Sequence, residues 1–411
     1  MQREERTHLP RVVLGMASLL AFAIWSPMFC VPPMQHILKE ELFLNHAQTS
    51  LIFTAPLLML VALAIPGGIV ADRIGPRKAA GIGIIIVAVG TMLRSVATDA
   101  PSLLAFTFIY GIGAGLCFPN LPKLVSSWVP REKAGVATGI FSAGLVGGPA
   151  LALAITMPIV FPITNTTQGV FFTWGITPVI TAILWWLLIK DPTQSSPYSE
   201  TVKRKSISYR RILRNKHLWL IAIIFLLHNF FFYTWTGWMP TLIRMKGATP
   251  ELAGLITSLV LWVAIPTLFS MPRLAYKLGV RKPFVLVPAI VLALGALGAI
   301  YTNIAMSWPI MVIVGIANVT RFSTVLALPM EIMSRKEVGT ASGLVFSIGY
   351  SGGIIGPLIG GRILDLTGNF NQSLAMLIGV SIAAAVLASR LPETGSRSRA
   401  KAVGLSPQAK S

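Results

Sequence analysis

The stretch IVGIANVTRFSTVLALP, residues 313–329, holds one full charge, Arg321, in an otherwise apolar run. A guanidinium offers five N–H donors in a rigid fork, a geometry that grips carboxylate-like oxyanions through paired hydrogen bonds. At helical spacing Gly315, Asn318, Arg321 and Thr324 share one stripe. All 14 acidic residues lie in loops or near the ends of apolar runs. The nearest in sequence, Glu331, is ten residues on, about 15 Å along a helix. Arg321 therefore has two readings: bait for an anion from outside the chain, or a tie to backbone carbonyls at a helix crossing. An isolated charge inside a membrane span marks a functional site by default, and the first reading is preferred.

Other polar groups join the candidate site. His228 is the one side chain in the interior of an apolar run that titrates near neutrality, so it is the candidate proton carrier; a packed neutral imidazole is its bland alternative. Asn229, Tyr233 and Thr236 fall on one stripe beside it and can hydrogen-bond a substrate, with Tyr350 a more distant candidate. The run FFFYTW, 230–235, reads as packing rather than a stacking cage. Lys123 shares a face with Asn120 and Ser127, with Tyr110 and Cys117 farther off; it serves as a second anion contact or as an interfacial anchor. No paired carboxylates, Ser/His/Asp set, metal cluster or Walker motif is present in the sequence. The expectation is a protein that is not an enzyme and uses no cofactor or metal.

The elements that hold these residues are membrane helices. The chain has 411 residues, 54% of them hydrophobic and 12% charged, with a mean hydropathy of +0.73; a soluble domain carries roughly twice that charge fraction. Twelve apolar runs, near 11–33, 49–71, 79–98, 102–129, 135–160, 169–189, 217–239, 252–272, 283–303, 308–332, 339–361 and 372–390, are each long enough to cross a bilayer. The predicted fold class is an all-α polytopic membrane protein, twelve transmembrane helices in two six-helix bundles. The net charge of +20 does not indicate nucleic acid, because its distribution follows membrane topology. Of the 34 Lys and Arg, 27 fall on the N-terminal side of that topology and five, including Arg94, on the other. This positive-inside bias predicts a multi-pass plasma (inner) membrane protein with both termini cytoplasmic.

The chain is internally duplicated. ADRIGPRK (71–78) recurs as AYKLGVRK (275–282), GIGA (111–114) as GIAN (315–318), and GVATG (135–139) as GTASG (339–343), all 204 positions apart. The predicted organisation is an N-terminal bundle over 1–190, a cytoplasmic linker over 191–216, a C-terminal bundle over 217–391 and a tail over 392–411. Linker residues Ile207, Ile212 and Leu213, set among basic residues, suggest a short helix on the inner leaflet. The tail holds LPETG, 391–395, the spelling of a sortase site. That reading needs an apolar span after the motif, and here the span precedes it.

GGIVADRIGPRK, 67–78, leaves the second span and enters the third. Gly68 permits close helix approach and Gly75 a tight turn. With Asp72, Arg73, Arg77 and Lys78 these residues match the inner-loop motif G-x-x-x-D-R-x-G-x-R-K, and the chain at this point resembles the major facilitator superfamily. The resemblance covers the whole chain. It implies alternating access between two bundles, and a latch at Gly68, Asp72, Arg73, Gly75, Arg77 and Lys78; the second copy has Tyr276 in place of the Asp. Gly135, Gly144, Gly148 and Pro149 in span five, repeated as Gly343, Gly352, Gly356 and Pro357, resemble the family's antiporter motif, though close packing of small residues is the favoured reading. The segments 228–254 and 119–148 are similar to the cyanate and nitroimidazole branch. The family places spans one, four, seven and ten around the central cavity, which puts Arg321 at water or substrate.

The resulting expectation is a secondary carrier, a monomer embedded in lipid, moving a small carboxylate-, cyanate- or nitrate-like anion with protons or a counter-anion as the coupled species. Proton-driven efflux of hydrophobic compounds is the alternative, and a transporter-like sensor a more distant one.

Overall fold

The computed structural model describes residues 2–121, 134–189, 212–333 and 337–395. Lys123 lies outside them. The described chain is helical, without a strand, and twelve of its helical stretches are long and apolar enough to cross a membrane. The helices are α1 (Gln2–Phe29), α2 (Val31–Glu41), α3 (His46–Ile74), α4 (Pro76–Arg94), α5 (Ala100–Cys117), α6 (Ala134–Ile155), α7 (Phe161–Thr164), α8 (Thr167–Leu188), α9 (Lys216–Met245), α10 (Pro250–Trp262), α11 (Ala264–Leu278), α12 (Pro283–Tyr301), α13 (Ile304–Ile332), α14 (Val338–Thr367) and α15 (Phe370–Ser389). The chain packs as two compact units, one formed by 1–202 with 236–262 and the other by 203–235 with 263–411.

Prolines set the breaks. Pro32 and Pro33 carry no N–H, so the carbonyls of Met28 and Phe29 lose their helical donors and the first span bends at Cys30, between α1 and α2. Pro266 does the same to Trp262, where α10 gives way to α11. Gly75 separates α3 from α4 at φ +91°, a conformation that disfavours any side chain, and its N–H closes on the Ala71 carbonyl at 2.9 Å. The turn expected there is present.

Glycines set the close crossings. In the first unit a Cβ at Gly144 would overlap the Ser18 carbonyl, and one at Gly148 would lie 2.7 Å from the Phe22 oxygen. In the second unit Gly352 stands in the same way against the Leu226 carbonyl, and Gly356 comes 2.7 Å from the Phe230 oxygen. Positions 144 and 352, 18 and 226, 148 and 356, 22 and 230 are all 208 apart, four more than the 204 of the quoted repeats and equal to the offset of the span-five and span-eleven glycines, so the duplication recurs as one repeated helix contact in a shifted register. Gly144 and Gly148 pack α6 on α1, and Gly352 and Gly356 pack α14 on α9, whereas a Cβ at Gly343, the first glycine of the second copy, would meet no atom within 4 Å.

The LPETG segment has a structural use. Glu393 accepts the backbone N–H groups of Arg281 at 2.6 Å and Lys282 at 3.2 Å, in the loop between α11 and α12. Thr394 donates its hydroxyl to Glu331, whose other carboxylate oxygen pairs with Arg281 Nε at 2.8 Å.

Candidate functional site

The predicted stripe on α13 is buried: Asn318, Arg321 and Thr324 all pack inside the second unit. Arg321 has no exposed surface. Its Nε donates to His228 Nδ1 at 3.1 Å, while Nη1 and Nη2 have no hydrogen-bond partner among the described residues. A ring nitrogen that accepts carries no proton, so His228 is neutral in this arrangement, with its N–H on Nε2. A neutral imidazole positions the guanidinium and leaves its charge uncompensated. Glu331, the acid nearest in sequence, is engaged with Arg281 and Thr394 instead.

The glycines of α14 let α9 approach closely enough to present His228. Phe225 stacks on the imidazole with ring centroids 5.9 Å apart and planes 6° off parallel, and Phe322 lies 5.6 Å from it on α13. Tyr350 meets Phe225 edge-on at 5.8 Å and lies 6.4 Å from Tyr233. An aromatic wall of this kind lowers the local polarity around the guanidinium and so strengthens any charge pairing there. Phe231 and Trp235 stack on each other at 5.3 Å, as packing.

Around this pair the polar groups divide. Asn318 Oδ1 is buried without a partner. Thr324 donates to the Thr320 carbonyl at 2.8 Å, and Asn229 to the Phe225 carbonyl at 3.0 Å, each within its own helix. Tyr233 is buried on α9.

The N-terminal candidates are held by backbone within the first unit. Tyr110 donates its hydroxyl to the Ile24 carbonyl. Asn120 Nδ2 reaches the carbonyls of Gly67 at 3.2 Å and Leu116 at 2.7 Å, tying α3 to the end of α5. In the inner-loop motif Asp72, Arg73 and Lys78 are exposed, and Gly68 and Arg77 half-buried. Arg77 sits 5.4 Å over the Trp186 ring, and its carbonyl accepts from Trp185. The close crossing at this end belongs to Gly67, where a Cβ would stand 2.8 Å from the Gly115 oxygen.

One residue was not singled out from the sequence. Arg94, counted there with the outer span ends, is 1% exposed. Its Nη1 donates to the Pro27 carbonyl at 2.8 Å, at the bend where Cys30 Sγ reaches the same oxygen. Its guanidinium lies 4.0 Å from the centroid of the Phe171 ring. The sequence carried no direct signal for this contact, since the carbonyls that Pro32 and Pro33 leave free are those of Met28 and Phe29, while Arg94 reaches Pro27.

Comparison with known proteins accounts for this architecture. The family model described as Major Facilitator Superfamily matches residues 14–357 and 244–409. The chain is 25% identical over 368 residues to an uncharacterized transporter, YycB, of Bacillus subtilis, covering 88% of this chain and 89% of the relative. It is 24% identical to a probable sulfoacetate transporter of Cupriavidus necator, covering 94% of each. It is also 24% identical to the 2-nitroimidazole transporter of Escherichia coli, covering 87% and 88%. In fold it resembles a bacterial homolog of the human lysosomal transporter Spinster, with a TM-score of 0.78 at 18% identity, over 93% of this chain and 97% of that one. A duplicated twelve-helix chain with this inner-loop motif, matched along nearly its whole length to transporters, belongs to the major facilitator superfamily.

Proposed function

We propose that this transporter carries a small anion by alternating access, with Arg321 as the residue that holds it. The observation that carries the reading is a wholly buried guanidinium whose two terminal nitrogens have no partner. Burying a cation at mid-membrane costs roughly 2.5–3.5 kcal/mol on insertion scales, and those nitrogens are the pair that a carboxylate or similar oxyanion engages side by side. His228 holds Nε and so turns the fork. Asn318, Thr324, Asn229 and Tyr233, all within the same unit, supply polar edges for the rest of the cargo.

The names of relatives support the chemistry. Sulfoacetate, hexuronate and cyanate, named for proteins 24%, 23% and 22% identical to this chain, are anions at neutral pH. The coupled species is a proton or a counter-anion. Proton coupling through His228 requires the ring to release Arg321 on protonation, since the accepting Nδ1 is then lost. In this reading Asp72 belongs to a latch that holds one conformation and releases another, the basic bias supports cytoplasmic termini, and the carrier works as a plasma-membrane monomer.

Uptake into proteoliposomes tests this. Labelled sulfoacetate, a hexuronate, cyanate and nitrate are offered with and without an imposed pH gradient, to the parent protein and to Arg321→Gln. Uptake of at least one anion, lost in Arg321→Gln, is the expected result. Retained uptake in that variant, or uptake restricted to uncharged hydrophobic compounds, overturns it.

A further inference from the structure

A second polar feature sits on α11. At 100° per residue, Arg273, Tyr276 and Lys277 lie on one face of this helix, and Met271, Leu274 and Leu278 on the opposite one. The apolar face borders a cavity of about 460 Å³ walled by Val287 and Ile313, both about half exposed, as lipid-facing residues are. The polar face borders another cavity, about 480 Å³, between α11 and α13. Arg273, Lys277 and Arg281 line it, facing Ser323 and Thr324, the residues that follow Arg321 by two and three positions. Arg281 is neutralised by Glu331. Arg273 and Lys277 make no ion pair among the described residues. Both are exposed and stand past the end of the apolar run 252–272, so they present positive charge at the mouth of this cavity.

We propose that this cavity is a vestibule for anionic cargo: an aqueous site where Arg273 and Lys277 gather small anions beside the helix that carries Arg321. The inference rests on the anion reading of Arg321 and extends it. A cleft lined by charge of one sign raises the local concentration of counter-ions by about tenfold or more, and does so less at high salt. The cavity lies wholly within the second unit.

The test needs no knowledge of the cargo. Ser323→Cys is placed on the vestibule wall; the native Cys30 and Cys117 are buried and do not compete. Protein in phosphatidylcholine nanodiscs, open on both sides, is labelled with a sulfonate-bearing and a trimethylammonium-bearing methanethiosulfonate, and rates are referred to a free thiol. The anionic reagent is expected to react about tenfold faster than the cationic one. The preference collapses in R273Q/K277Q and weakens with salt. An unchanged preference in R273Q/K277Q, or a thiol inert to both reagents, overturns the vestibule whatever Arg321→Gln does to uptake. Labelling slowed by phosphatidylglycerol discs assigns the pocket to a lipid headgroup and also overturns it. A collapsed preference beside retained uptake in Arg321→Gln keeps the vestibule and removes the Arg321 reading.

Discussion

Arg321 Nε donates to His228 Nδ1 at 3.1 Å, joining α13 to α9 inside one packing unit, and the imidazole fixes the guanidinium without discharging it. The two residues are 93 positions apart in sequence. Everything proposed about cargo depends on what the other end of that guanidinium holds.

Replacing the fork should be graded. Arg321→Lys keeps the charge and loses the paired donors and the bond to His228, so anion uptake falls about tenfold to a hundredfold, while Arg321→Gln abolishes it. Initial rates across a concentration series in proteoliposomes check this. Equal uptake by the Lys variant and the parent would mean that charge alone suffices.

His228 should exist as one tautomer, with Nδ1 bare and Nε2 protonated. Nitrogen-15 spectra of histidine-labelled protein read this directly. His228→Gln, which retains an acceptor, should keep more uptake than His228→Ala, with a gap of about threefold to tenfold. Nδ1 found protonated in the resting protein would contradict the contact.

Arg94 should be structural. It closes the bend of the first span and lies against Phe171. Arg94→Met lowers unfolding stability by roughly 1–3 kcal/mol through the lost charged hydrogen bond to the Pro27 carbonyl and the lost ring contact, while anion selectivity stays as it was. Thermal unfolding beside an uptake panel separates the two effects.

The duplicated crossings should respond alike. Gly144→Ala and Gly352→Ala each drive a methyl into a carbonyl of the facing helix and destabilise by about 1–3 kcal/mol or more. Gly147→Ala and Gly343→Ala meet no atom within 4 Å and serve as neutral controls. Similar melting temperatures in all four variants would remove the packing role of these glycines.

The fold was legible because a bilayer leaves few options. Apolar length fixed the twelve spans, and the recurrence of Gly144, Gly148 and Pro149 as Gly352, Gly356 and Pro357 announced the duplication that the glycine contacts repeat. The Arg321 stripe was legible because one charge in an apolar helix has a definite phase. Its partner was not, since nothing local in HNFFFYTW says which helix His228 faces. Arg94 escaped for a related reason: a charge at a span end reads as solvated until the carbonyl it reaches is known. Tyr110 and Asn120 looked available from sequence, and the helices they tie together, α1 and α3, become visible only once the chain is packed.

The carboxylate of Glu393 receives two backbone N–H groups from a loop made 112 and 111 residues earlier in the chain. During synthesis that loop leaves the ribosome with its donors bare and waits for the segment that will satisfy them. The inner rim of the second unit therefore closes late, after α15 has entered the membrane. Until then the backbone N–H groups of Arg281 and Lys282 lack this acceptor, although the Arg281 side chain can already meet Glu331, and the order of translation sets when the loop is completed.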